Sequence, residues 1–177
     1  VSKLAQPWTN KWRIAGWGIA LGLVLLPLAA MQFTREVNWT SADFVFAAAL
    51  IGGVGALYEF TVRRSASWAY RGGVAAALAA SFLTIWVNGA VGMIGSEDNP
   101  YNLVFLGVIV LALSGSVVTR FRASGMALAL AVAAVAQAIG GLAGMNSDLR
   151  GGLFSTGFAL IWLLSAALFH NAAQQEA

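Results

Sequence analysis

The fold class this chain predicts is an all-α polytopic transmembrane bundle, and three observations predict it. Apolar stretches of roughly 20 residues, the length that crosses the hydrocarbon core of a bilayer, recur along the whole sequence. Of its 177 residues, 59% are hydrophobic and only 10% charged, whereas soluble domains carry about 25% charge. The apolar runs also lack the alternation of a membrane β-barrel strand. Helices are then the form that satisfies every backbone group inside lipid.

Six spans follow from the pattern, at about 14–31, 42–62, 72–95, 101–119, 124–145 and 151–169. The connections are short, so neighbours in sequence are expected to pack as antiparallel hairpins. Little is left over for an extramembrane domain, and residues 1–177 read as one integral-membrane domain. The first span has the basic start of a signal peptide (Lys3, Lys11, Arg13) and small residues at Ala29 and Ala30. Its apolar run is long for a signal segment, and it is expected to be kept as a membrane helix.

Orientation follows from the basic residues. Lys3, Lys11, Arg13, Arg63, Arg64, Arg71, Arg120 and Arg122 fall on one side, and only Arg35 and Arg150 on the other. The positive-inside rule then predicts that both termini are cytoplasmic. Glu36, Asp43, Glu97, Asp98 and Asp148 fall on the outer face. Trp8, Trp12, Trp68 and Tyr70 lie at inner boundaries and Trp39 and Tyr101 at outer ones, as interfacial aromatics do.

Several chemistries are excluded by composition. There is no cysteine, hence no disulfide, thiolate ligand or cysteine nucleophile. A single histidine, His170, rules out a bis-histidine haem or a multi-histidine metal site within one chain. It closes span six, where an interfacial role at a helix C-terminus is favoured over a ligand or base. The sequence contains no G-x-S-x-G, H-E-x-x-H or Walker A pattern. No catalytic residue, cofactor-binding residue or metal ligand is therefore assigned, and the reading leans away from an enzyme. The pI near 9.8 does not indicate nucleic-acid binding, because the basic residues flank the spans.

Small residues recur every fourth position at Gly18 and Gly22, at Ala48, Gly52 and Ala56, and at Gly140 and Gly144. Such faces let helix backbones approach closely. Packing within the chain is the first reading and a seam between copies the second. A weak echo links "GAVGMIGSED" at the end of span three to "GGLAGMNSDL" at the end of span five. If genuine, it is a parallel duplication of a hairpin.

Polar residues inside the spans are few. Ser81, Thr84 and Asn88 fall at i, i+3 and i+7 on span three, and Gln137 is the deep amide of span five. An amide facing lipid would leave its groups unsatisfied, so spans three and five are expected to pack with Asn88 and Gln137 bonded across. These four residues are the candidate polar lining, read either as packing bonds or as the wall of a path for a small solute. Glu59 lies four residues before Arg63, which predicts an ion pair on one helix face. Thr40 and Asp43 have the spacing of a capping box. "NWT" at 38–40 matches the glycosylation pattern, but its short membrane-proximal loop gives it little weight.

The outer stretch "GMIGSEDNPYNL" holds the adjacent acids Glu97 and Asp98. Pro100 suits the first helical position, which makes Asn99 the expected N-cap of span four. The acids then precede the positive end of a helix dipole. With Asp148 they form a candidate outer acidic cluster, serving either as turn-and-cap residues or as a cation-attracting mouth.

At "EVNWTSADFVFA" and "WVNGAVGMIGSEDNPYNLVFLGV" the chain resembles an uncharacterised family of small bacterial multi-pass inner-membrane proteins, from span one through span five. The resemblance implies a bacterial inner (cytoplasmic) membrane and carries over no catalytic residue. The expected function is therefore non-enzymatic: a structural or accessory component of a membrane assembly, as a homo-oligomer or within a larger complex. The alternative is a small-solute or ion transporter or channel with a polar path between spans three and five. The expected partner is the lipid bilayer, with no nucleic acid and no cofactor.

Overall fold

The computed structural model describes residues 10–63 and 65–176, with the side chains of Asn10, Lys11 and Trp12 left out. Lys3, Trp8 and Arg64, and the side chains of Lys11 and Trp12, lie outside the described residues. The described elements are helices: α1 (Asn10–Ala30), α2 (Ser41–Val62), α3 (Trp68–Ala90), a 3-10 turn (Pro100–Asn102) running into α4 (Leu103–Val118), α5 (Ala123–Gly144), α6 (Leu149–Gly157) and α7 (Ala159–Glu176). Six stretches are long and apolar enough to cross a membrane: Arg13–Ala30, Ser41–Val62, Trp68–Ala90, Pro100–Val118, Ala123–Gly144 and Leu149–Glu176. The all-α, six-span expectation holds.

The chain divides into two compact units, Val1–Phe60 and Thr61–Ala177. In the first, α1 and the part of α2 up to Phe60 form a hairpin that buries little of itself, Ala47 being the one buried residue among those described in this unit. The entry to α2 carries one half of the expected capping box, the bond from Asp43 back to the Thr40 N–H. Thr40 donates both its backbone N–H (2.7 Å) and its hydroxyl (2.8 Å) to Asp43 Oδ2. The other end of the hairpin is held by charge. Arg13 meets Glu59 through two guanidinium nitrogens, and Trp17 Nε1 donates to Glu59 Oε1 at 2.9 Å. The Trp17 ring lies over Gly55, where a Cβ would sit 3.1 Å from it. The sequence pointed to Arg63 as the partner of Glu59. The cross-helix bonds to α1 were not foreseen, because nothing in one helix's spacing reports on another helix.

In the second unit α7 lies between α3 and α5, and α5 also carries α4 and α6. Helices α3 and α7 run antiparallel. Ser165 Oγ donates to Gly73 O at 2.6 Å, and the Tyr70 and Phe169 rings meet edge to face at 5.0 Å. Gly73 is required there, since a Cβ would lie 2.8 Å from the Phe169 ring. Met93, Ile94, Phe105 and Phe158 form a buried cluster at the end of the bundle where α3 stops and α4 begins. The faces turned away, with Val110, Val117, Leu160 and Leu164 exposed, suit a lipid environment, where apolar side chains are at no disadvantage.

Two boundaries differ from expectation for physical reasons. Span three was expected to reach residue 95, but α3 ends at Ala90. Gly92 adopts φ +78°, and its N–H returns to Val87 O at 2.9 Å. A left-handed residue closing a helix in this way is a C-terminal stop. The chain then turns Met93 and Ile94 inward, each 1% exposed. Span six was expected as one helix. It is instead divided at Phe158, and α7 continues past His170 to Glu176. The echo between spans three and five is not repeated in local geometry, because Gly144 is the last residue of α5 where Gly92 is left-handed.

Candidate functional site

The residues singled out by sequence converge on two places in the second unit: a clasp of loop and helix starts, and a buried polar zone beside the α6–α7 break. The clasp is built from the stretch 92–103. Asn99 caps the 3-10 turn, accepting from Tyr101 N at 3.0 Å, with Pro100 at the first position. Its amide Nδ2 donates back to Ile94 O at 3.0 Å. Asn102 is buried and spans the loop, accepting from Ile94 N (2.9 Å) and donating to Ser96 O (2.8 Å). Tyr101 reaches further, donating its hydroxyl to Gly140 O on α5 at 2.7 Å.

Asp148 ties this loop to the next helix. Oδ1 accepts from Gly151 N at 3.0 Å, which is the N-cap bond of α6, and Oδ2 accepts from Gly95 N at 3.0 Å. These backbone donors, Gly151 first and Gly95 second, hold the Asp148 carboxyl below the usual carboxylate range; burial opposes them, and Arg150 adds a smaller pull through its backbone N–H and its charge. Gly151 is demanded by the geometry, since a Cβ there would lie 2.7 Å from Met93 O. Of the three acids of the expected outer cluster, Asp148 is thus bonded into the clasp. Glu97 and Asp98 sit on the same loop, exposed.

The polar zone departs from expectation. Gln137 is fully buried on α5, yet its Nε2 donates to Ser155 O on α6 at 2.9 Å, not to Asn88. Helix α3 packs on α7, and α5 packs on α7, α6 and α4, so the expected Asn88–Gln137 bond between spans three and five is replaced by a bond from span five to span six. The packing explains the change: α5 lies directly on α6 and brings Gln137 to Ser155, whereas α3 packs mainly on α7. Ser155 in turn donates its hydroxyl to Met93 O at 3.1 Å. Ser81 donates to Ala77 O at 2.9 Å, within its own helix. Thr84 Oγ1, both amide atoms of Asn88, Gln137 Oε1 and Trp162 Nε1 are buried and make no hydrogen bond.

Ser155 and Asn102 were not singled out by sequence, and Tyr101 was named there only as an interfacial aromatic. Ser155 could have been found from its context, "GGLFSTG", a hydroxyl pair beside glycines in an apolar run. A third feature lies at the α4–α5 turn, where Arg120 (φ 53°) and Phe121 (φ 59°) are both left-handed. Tyr70 donates its hydroxyl to Phe121 O at 2.8 Å and pins the turn. An open cleft there is lined by Tyr70, Arg120, Arg122, Ser124, Ala173 and Glu176, among others.

Taken together, the helices and the bonding of their few polar side chains define a multi-pass membrane protein of the helical-bundle class. No protein-family model matches the chain, and neither a curated protein nor a solved structure matches it.

Proposed function

We propose that this chain is a non-enzymatic, multi-pass protein of a bacterial inner membrane, with both termini cytoplasmic, acting as a structural or accessory component of a membrane assembly. The observation that carries the reading is the bonding of Asp148. One of the three acids of the candidate mouth is taken up by two backbone N–H groups. Asn99, Asn102, Tyr101 and Ser155 likewise spend their polar atoms on backbone partners. Polar groups used in this way fix helix positions in lipid. The little-buried α1–α2 hairpin supports an assembly role, because it leaves most of its apolar surface for lipid or a neighbouring subunit. The basic residues on the expected inner side support the orientation, and the resemblance to small bacterial inner-membrane proteins supports the location.

Purification in a mild detergent tests this reading. A defined larger complex or homo-oligomer is expected, and a clean solitary monomer that retains its fold would overturn it. One observation favours a second reading, a small-solute or ion pathway: the unpartnered polar atoms of Thr84, Asn88 and Gln137. The native chain has no cysteine, so Asn88→Cys and Gln137→Cys can be probed with a water-soluble thiol reagent. Labelling from either face supports a pathway, and protection of both sites from both faces removes it.

A further inference from the structure

The register of α3 on α7 brings two of the unpartnered polar side chains, Thr84 and Gln137, to one level of the bundle, with Asn88 one turn beyond. Gly73 faces α7, with its carbonyl bonded to Ser165 and the Phe169 ring against its Cα. Thr84 is eleven residues on, about 16 Å along the axis and about three turns, which returns it to the same face. On the antiparallel partner, Ser155 precedes Ser165 by ten residues, or about 15 Å. Thr84 therefore stands level with Ser155, the residue whose carbonyl receives Gln137. Asn88 is one turn further along the same face.

Ser155 O can only accept, so the Gln137 amide must turn its Nε2 toward it, which leaves Oε1 as the free atom. Thr84 and Gln137 are both fully buried. Together with Asn88 they present a hydroxyl, a complete amide and an amide oxygen, with no charge among them. Within lipid such atoms are costly to leave unbonded. The chemistry that satisfies them is neutral, compact and able both to donate and to accept, which is how buried water serves otherwise unbonded groups.

We propose that Thr84, Asn88 and Gln137 form an intramembrane site for a small uncharged hydrogen-bonding ligand of water size, beside the α6–α7 break. The site needs no route across the membrane and stands whether or not a solute passes through the protein.

Solvent water is the probe. In the full chain reconstituted in lipid nanodiscs, the side-chain amides of Asn88 and Gln137, assigned by NMR, are expected to show magnetisation transfer with water. Thr84→Val keeps the shape and removes the hydroxyl. It is expected to weaken that transfer and to lower the Tm by about 3 °C. Asn88→Leu is expected to lower the Tm as well, and the double variant by less than the two effects added, because both residues serve one ligand. Two results overturn the inference: no transfer from water to either amide in the unmodified protein, or a Tm that stays level or rises with Thr84→Val, as replacement of an unbonded hydroxyl predicts. Hydrated amides with both cysteine variants protected from thiol reagents would keep this site and remove the pathway reading.

Discussion

Gln137 of α5 donates its side-chain amide to the backbone carbonyl of Ser155 at 2.9 Å, one turn before the sixth span breaks at Phe158. In an unbroken helix that carbonyl would receive the N–H of residue 159. Here it receives Gln137 and, from three residues on, the N–H of Phe158 at 3.2 Å. A side chain inserted into the helical ladder is one of the identifiable causes of a break. The Gln137 amide therefore does more than join two helices, since it gives the Ser155 carbonyl a second donor beside the Phe158 N–H.

Replacing Gln137 with Leu is expected to destabilise the second unit by about 1–3 kcal/mol, because a buried carbonyl loses a partner in lipid. Unfolding monitored in mild detergent measures this. Gln137→Glu, protonated at low pH, can still donate to Ser155 O and is expected to recover part of the loss. If Gln137→Leu is neutral, the break does not depend on this bond.

Asp148 makes the clasp pH-dependent. Its carboxyl is held below the ordinary range by Gly151 and Gly95 N–H groups. A carboxyl lowered in the folded state contributes stability that is complete above its unfolded value, near 3.9. That contribution is lost as pH falls through the lower folded value. The stability of the native protein is thus expected to fall on acidification through and below this range, and Asp148→Asn is expected to flatten that part of the profile. Thermal scans of both proteins from pH 6 downward provide the measurement, and identical slopes would remove Asp148 as the source.

Much of the fold was legible from the sequence, and the reason is chemical. Each span announces itself because lipid demands a continuous apolar run of fixed length, and the Asn99–Pro100 cap was legible because its chemistry is local. What sequence could not reveal was which helix lies next to which. The apolar faces of α4 and α5 do not distinguish one neighbour from another, so the insertion of α7 between α3 and α5, and with it the partner of Gln137, had no local signature. Glu59 shows the same limit. Its spacing to Arg63 was visible, whereas Arg13 lies 46 residues away. The end of α3 was misjudged because "GAVGMIG" is as apolar as the helix before it, and only the backbone of Gly92 decides that the chain turns.

Gly92 is accordingly expected to be intolerant of substitution. It is left-handed, and a Cβ there would collide with the Ser96 carbonyl and come within 2.8 Å of Asn102 Nδ2. Gly92→Ala is expected to cost about 1–3 kcal/mol and to loosen the loop that Asn102 spans. Gly89→Ala is the control, since nothing lies within 4 Å of a Cβ at that position. Comparing the two by unfolding and by protease cutting within residues 91–99 separates a local backbone demand from a general effect of losing glycine. Equal behaviour of the two variants would argue against a special role for Gly92.

The α1–α2 hairpin is expected to depend on a pair of opposite charges more than on packing. Arg13 donates to both carboxylate oxygens of Glu59, a two-point geometry that fixes direction as well as distance. Trp17 adds a third donor to the same carboxylate. Arg13→Glu alone places two carboxylates side by side, and Glu59→Arg alone places two guanidinium groups together, so each is expected to separate the helix ends. The exchange, Arg13→Glu with Glu59→Arg, restores the attraction but not the Trp17 bond, because an arginine cannot accept a hydrogen bond. Recovery is therefore expected to be partial. Trp17→Phe in the native background should remove the same increment that the exchange fails to recover. Spin labels on single introduced cysteines in α1 and α2 read the separation by distance measurement. Helix ends that stay together in both single variants would show that the pair is not what closes the hairpin.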